Sequence, residues 1–125
     1  MNKEVLIKLV SISKSYILNT RNLNVLNKIN LIIKSGQLIA VTGPSGSGKS
    51  TLLHLIGLLD NASSGEIYFK KKKVSLLKDS HKDEIRKNMI SIIYQQNNLL
   101  QDFTALENVT IPLIINNFSK KDAEN

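Results

Sequence analysis

Gly43-Pro44-Ser45-Gly46-Ser47-Gly48-Lys49-Ser50-Thr51 fills every fixed position of the phosphate-binding pattern G-x-x-x-x-G-K-[ST]. Its flanks supply the context such a loop requires. Leu38-Ile39-Ala40-Val41-Thr42 before it is a short apolar run with the composition of a buried strand. After it, Thr51-Leu52-Leu53-His54-Leu55-Ile56 sets apolar residues at helical spacing. A Ser/Gly-rich linker would not end in Lys-Ser between two apolar elements, so the stretch reads as strand, P-loop and helix.

The residue types specify the chemistry. Gly43, Gly46 and Gly48 permit backbone angles that side chains forbid, so successive N–H groups of the loop, which Pro44 alone lacks, can turn inward as an anion nest. A helix starting near Gly48 adds its unpaired N–H groups and the positive end of its dipole. Lys49 brings a mobile point charge to the β- and γ-phosphates, and Ser50 offers a hydroxyl to Mg²⁺. Thr51 is read as support for the loop. Together these residues describe a nucleoside triphosphate site.

The 125 residues suffice for one domain with a moderate core. No run approaches the roughly 20 apolar residues of a membrane span. Met1-Asn2-Lys3-Glu4 has neither the apolar core nor the cleavage site of a signal peptide. Cysteine is absent, which excludes disulfides and fits a reducing compartment, so a cytosolic chain is expected. The net charge of +7 comes from fifteen Lys and two Arg scattered among Asn and Ile. The one dense run, Lys70 to Lys73, follows an apparent strand and has no interleaved aromatics for base stacking. It reads as a solvated hairpin tip, and no nucleic-acid partner is expected.

Along the chain, residues 5–10 read as a strand and residues 19–24 as a polar loop. Residues 25–33 resume extended structure, and Lys34-Ser35-Gly36-Gln37 forms a turn into the strand before the P-loop. The P-loop helix is expected from about Gly48 to Leu59, with Leu52, Leu55, Ile56 and Leu59 as its apolar stripe. Asp60 follows too soon after Ser50 to close a separate magnesium-binding strand, and is read as a helix-end or turn residue. Residues 66–69 form a short strand. Residues 79–87 are helix-compatible, with Asp79 or Ser80 as N-cap. Met89 to Tyr94 is a second buried-strand candidate, ending in Gln95-Gln96. Thr104 caps a short helix through Val109, with Glu107 at capping-box spacing. His54 and His81 have no ligand partners at metal-site spacing.

Read together, these segments resemble the N-terminal half of an ABC-type ATPase domain, an α/β P-loop NTPase with a RecA-like core and an antiparallel β subdomain. Tyr16, in Ser13-Lys14-Ser15-Tyr16, stands at the place of the family's adenine-stacking A-loop aromatic. Residues 25–37 look like its second strand and turn. The P-loop, its helix and Ser64-Gly65-Glu66-Ile67 form the third likeness, and Ile92-Ile93-Tyr94-Gln95-Gln96-Asn97-Asn98-Leu99-Leu100 looks like the Q-loop. Asp102 to Val109, followed by Ile111-Pro112-Leu113, is similar to the ATPases of lipoprotein-releasing transporters. Close relatives in macrolide export and cell division share much of that wording.

The resemblance implies ATP and Mg²⁺ as cofactors, Lys49 and Gln95 as catalytic residues, and Ser50 and Gln95 as metal contacts. It also implies transmembrane permease subunits and a second ATPase copy as partners, at the cytoplasmic face of the inner membrane. The region from Gln95 to Asn108 is then the docking surface for a permease's cytoplasmic helix. Two local departures stand out: Lys70 to Lys73 replaces a common Asn-Gly turn, and Gln101 replaces a common Pro. The family's Leu-Ser-Gly-Gly-Gln signature, its Asp-Glu magnesium and base pair, and its switch histidine do not occur in the 125 residues. Residues 1–125 are thus expected to be a C-terminally incomplete nucleotide-binding domain that binds MgATP weakly and hydrolyses it poorly by itself. A non-catalytic or decayed fragment is the alternative from another class. A P-loop kinase or GTPase would carry a lid with arginines or an Asn-Lys-x-Asp base reader, and neither occurs.

Overall fold

Apolar alternation in residues 5–10 marks only the start of a much longer strand. In the structure, a computed structural model that describes residues 4–96 and 98–125, β1 spans Val5–Leu18 and β2 spans Arg21–Lys34. They pair antiparallel from Val5↔Lys34 to Leu18↔Arg21, which leaves Asn19 and Thr20 for the turn. The expected loop at residues 19–24 is therefore strand from Arg21 onward. Ladder hydrogen bonds continue where side-chain polarity alone suggests an end. Four register shifts bend this hairpin, and two of them fall at Ser11 and Lys28, each with φ 48°. Side chains satisfy the displaced amides: Ser11 N–H donates to Asn30 Oδ1 at 2.9 Å and Lys28 N–H to Ser13 Oγ at 3.0 Å.

The chain then forms α1 (Lys49–Ile56), β3 (Ser64–Phe69), β4 (Lys72–Lys73), α2 (Asp79–Met89), α3 (Ala105–Ile115) and α4 (Lys120–Glu124). The four strands make one antiparallel sheet in the order β2-β1-β3-β4. Leu9 and Ile12 of β1, Leu26 of β2, and Ile67 and Phe69 of β3 bury one face of that sheet with Leu55, Leu58 and Val74. Gly65 passes so close to the Ser11 bulge that a Cβ there would stand 2.4 Å from the Ser11 carbonyl oxygen. Only a bare backbone at φ +93° fits.

α1 is shorter than its apolar stripe suggests. Gly57 caps it, Leu58 turns left-handed at φ 56°, and Leu59 N–H donates back to the His54 carbonyl at 2.9 Å while Leu58 N–H reaches Leu55. This is a Schellman end with leucine where glycine is usual. Burial of Leu58 at 4% exposure offsets the backbone strain. α2 starts at Asp79 itself, with Lys78 at the N-cap position, so neither Asp79 nor Ser80 is the cap and Asp79 lies in the first turn. α3 carries the expected capping box between Thr104 and Glu107 but runs on through Pro112 to Ile115. Residues 120–124 form α4, capped by Ser119.

Neither apolar run expected as a buried strand is one. Residues 38–42 and 90–94 have no strand assignment, and Leu38 and Ile93 are 102% and 99% exposed. A strand exists only where neighbouring strands take up its N–H and C=O groups. Among the described residues neither run has such a neighbour. The chain divides into two compact units, Met1–Ile90 and Ser91–Asn125.

The lysine run does form a hairpin tip. Lys70 and Lys71 join β3 to β4 as a two-residue turn with φ of 45° and 67°. Both angles are positive, the geometry that favours Asn-Gly. Replacing Lys70-Lys71 by Asn-Gly is expected to stabilise the fold by about 1 kcal/mol or more. The check is a higher urea midpoint with an unchanged denaturant slope.

Candidate functional site: a P-loop closed on its own lysine

Gly43, Gly46 and Gly48 all adopt positive φ, at 151°, 79° and 88°. α1 begins immediately after them, with Gly48 as its N-cap and no side chain capping the first turn. Its leading N–H groups are thus left for an anion. Lys49 folds back over the loop, its Nζ donating to the carbonyls of Gly43 at 2.8 Å and Pro44 at 2.7 Å. A cation held only by neutral carbonyls beside an uncapped helix start is poised to exchange them for phosphate oxygens. A cavity of about 280 Å³ opens here, lined by Thr42 to Pro44 and Ser47 to Lys49, with Leu26 and Ile29 of β2 behind them.

Gly48 is held by more than the loop. A Cβ on it would stand 2.9 Å from Leu26 Cδ2 and 3.1 Å from the Val25 side chain and carbonyl. Two residues of β2 therefore set the position of the P-loop's last glycine. Sequence reading placed Val25 and Leu26 in a strand but gave them no part in the site; no local signal marks a contact across more than twenty residues.

Ser50 lies on the first turn of α1 and is exposed. Among the described residues no group of three or more His, Asp or Glu could hold a metal ion. One hydroxyl with no carboxylate cage suits Mg²⁺ that arrives on phosphate oxygens and keeps its waters, not a resident ion.

Tyr16 sits near the end of β1, opposite Leu23. It is not part of the cavity lining, and its hydroxyl donates to Asp60 Oδ2 at 3.1 Å. Asp60 Oδ1 accepts from Lys14 Nζ at 2.7 Å and from the Asn61 N–H at 2.6 Å. Asp60 is a turn residue just beyond α1, as its spacing indicates. Its side chain is 31% exposed. Burial acts to raise the Asp60 carboxyl, but hydrogen bonds from Lys14, the Asn61 amide and Tyr16 together hold it below the ordinary carboxylate value.

Gln95 belongs to the second unit, in an exposed bend. Asn97 of the Q-loop stretch lies outside the described residues, as do Met1 to Lys3. Further on, Asn108 closes the loop before α3: its Oδ1 accepts from Leu100 N–H, and its Nδ2 donates to the Leu100, Phe103 and Thr104 carbonyls. Asn108 is part of a motif in the sequence, but no local signal marks it as the residue that pins the motif's loop.

The family profile described as ABC transporter matches residues 26–125. This chain belongs to the ABC transporter family. It is 45% identical over all 125 residues to the lipoprotein-releasing system ATP-binding protein LolD of Wigglesworthia glossinidia brevipalpis, of which it covers 55%. Among solved structures it is similar to the dimeric bacterial ABC transporter cassette MJ0796, with a TM-score of 0.89 and 39% identity over 95% of this chain and 53% of that one. It is equally similar in fold, at 38% identity, to the same cassette in a post-hydrolysis state bound to ADP and Pi. The chain spans about half the length of the relatives it matches. Its fold is that of an ABC ATPase cassette, a P-loop NTPase in which an antiparallel sheet packs beside the P-loop helix.

Two outcomes follow from this geometry. Gly48→Ala should destabilise the ABC fold by about 1–3 kcal/mol, since φ +88° and the Val25 and Leu26 contacts both oppose a side chain. Differential scanning calorimetry reads this directly. Asp60, lowered in the folded state, contributes stability that is fully present above the unfolded carboxylate pKa of about 4 and is lost as pH falls through the folded value. The stability gap between wild type and Asp60→Asn should therefore stay constant from pH 5 to 8 and shrink below about pH 4.

Proposed function

We propose that the 125 residues are the A-loop, Walker A and Q-loop part of the ATP-binding subunit of an ABC transporter that releases lipoproteins from the inner membrane toward the outer membrane. The observation that carries the reading is the 45% identity to LolD across the whole chain. The P-loop geometry supports its chemistry.

On this reading the inward N–H groups of Gly43 to Ser50 hold the phosphates of ATP, and Lys49 leaves the Gly43 and Pro44 carbonyls for the β- and γ-phosphate oxygens. Ser50 contributes one oxygen to Mg²⁺, which neutralises phosphate charge when bound with the nucleotide. Tyr16 presents its ring to adenine. The Gln95 side-chain carbonyl would accept from a water of that Mg²⁺, and the carboxamide would orient the attacking water. Thr51 supports the loop from the first turn of α1. Deprotonation of that water falls to groups outside these three motifs.

The partners are a second ATPase copy and transmembrane permease subunits. Gln95 to Asn108 is the docking segment, where Phe103, on the loop that Asn108 ties to α3, and Leu106, on the first turn of α3, are 47% and 53% exposed. No helix among the described residues is long and apolar enough to cross a membrane. By its likeness to LolD the subunit is placed, as part of this proposal, on the cytoplasmic face of the inner membrane.

The test is made on the full-length protein assembled with its permease subunits in inner-membrane vesicles. Lys49→Ala should weaken ATP binding at least about tenfold and stop ATP-dependent release of a lipoprotein to an acceptor. Vesicles that export a macrolide but release no lipoprotein would move the protein to the related export system. ATP affinity unchanged by Lys49→Ala would remove the nucleotide reading altogether.

A further inference from the structure

Tyr16 is a strand residue, and a strand aromatic alone has freedom about χ1 and χ2 to miss a base. Here the ring is fixed at two points. Its hydroxyl donates to Asp60 Oδ2 at 3.1 Å, and Lys14 Nζ stands 4.9 Å from the ring centroid. The same ammonium donates to Asp60 Oδ1 and to the Asn61 carbonyl, both at 2.7 Å, and the Lys14 side chain is only 11% exposed. One carboxylate thus holds the tip of the ring directly and, through Lys14, the cation against its face.

The backbone around this carboxylate is tied down as well. Ser63 N–H donates to the Ser13 carbonyl at 2.9 Å, and Ser15 N–H donates to Ser63 Oγ at 3.0 Å. The segment 60–63 follows α1 through the Schellman end at Leu58, whose carbonyl accepts from Arg86 at 2.6 Å. α1 in turn begins at the P-loop. A continuous set of bonds therefore runs from the phosphate loop, down α1, into Asp60 and back to Tyr16.

We infer that Asp60, with Lys14, is a positioning residue for the nucleotide base: it fixes the Tyr16 ring relative to the P-loop so that one nucleotide meets both. The inference rests on the reading of Tyr16 as the adenine-stacking aromatic. Lys14 stands over one face of the ring, and on this inference the purine stacks on the opposite one. The cation also draws electron density from the ring, which favours offset stacking with an electron-rich base.

The experiment compares MgATP with inorganic tripolyphosphate, which has the phosphates but no base, by calorimetric titration of the full-length protein. Asp60→Asn keeps the side-chain shape but loses the charge, and Tyr16→Phe keeps the ring but loses the hydroxyl. Each is expected to weaken ATP about three- to tenfold and to leave tripolyphosphate unchanged, and Asp60→Asn should add nothing in a Tyr16→Ala background. Should Asp60→Asn not fold, Tyr16→Phe alone carries the same comparison. An equal loss for both ligands assigns Asp60 a merely structural role and overturns the inference. If Tyr16→Ala weakens ATP selectively while Asp60→Asn and Tyr16→Phe do not, the inference fails and the base reading stands. If Tyr16→Ala leaves the ratio of the two affinities unchanged, the base reading itself falls and takes the inference with it.

Discussion

Val25 and Leu26 of β2 close against the bare backbone of Gly48, where even one methyl group would stand about 3 Å from both side chains. That contact joins two parts built on different principles. The sheet is held by a long antiparallel ladder and an apolar face. The P-loop is held by glycine angles and leads into a helix start whose N–H groups no side chain caps. Remove the fit at Gly48 and the loop keeps its sequence but loses its fixed place on the sheet. The spare N–H groups would then point at no defined site.

Charge is arranged with the same economy. Among the described residues Lys49 is held by the Gly43 and Pro44 carbonyls and by no carboxylate, so no acid there competes with an incoming anion. Lys14, by contrast, is committed to Asp60 and Asn61, and Lys73 is committed to Glu66, whose carboxyl is lowered first by Lys73 and next by Tyr68. A net charge of +7 therefore says little about partners by itself. What separates a functional lysine from a structural one is whether an acid already holds it.

The parts legible in the sequence are those fixed within a few residues. The P-loop glycines, the start of α1, the Thr104 capping box and the turn at Asp60 all depend on local spacing, and each stands where the residues indicate. The parts that were not legible depend on distant neighbours. The β1–β2 hairpin extends past its polar stretch because each strand supplies the other's bonds. Residues 38–42 and 90–94 have strand composition but no partner among the described residues, so their composition leaves them exposed. Leu58 hides a left-handed helix end because burial, not glycine, decides it. Lys70-Lys71 hides a tight turn for a similar reason: the strands on either side impose the angles.

Tyr16 shows why a motif residue needs its distant contacts before it can be understood. By itself it is one aromatic near the end of a strand, as compatible with packing as with base recognition. Its partner Asp60 lies forty-four residues on, at the end of the helix that the P-loop starts. The hydrogen bond between them makes the spacing of Tyr16 and the P-loop a property of the fold, not of either loop. A nucleotide joins its base to its phosphates through one ribose, so a site proposed to read both ends needs such a frame. In this chain α1 and its Schellman end supply that frame, and a single carboxylate connects it to the ring.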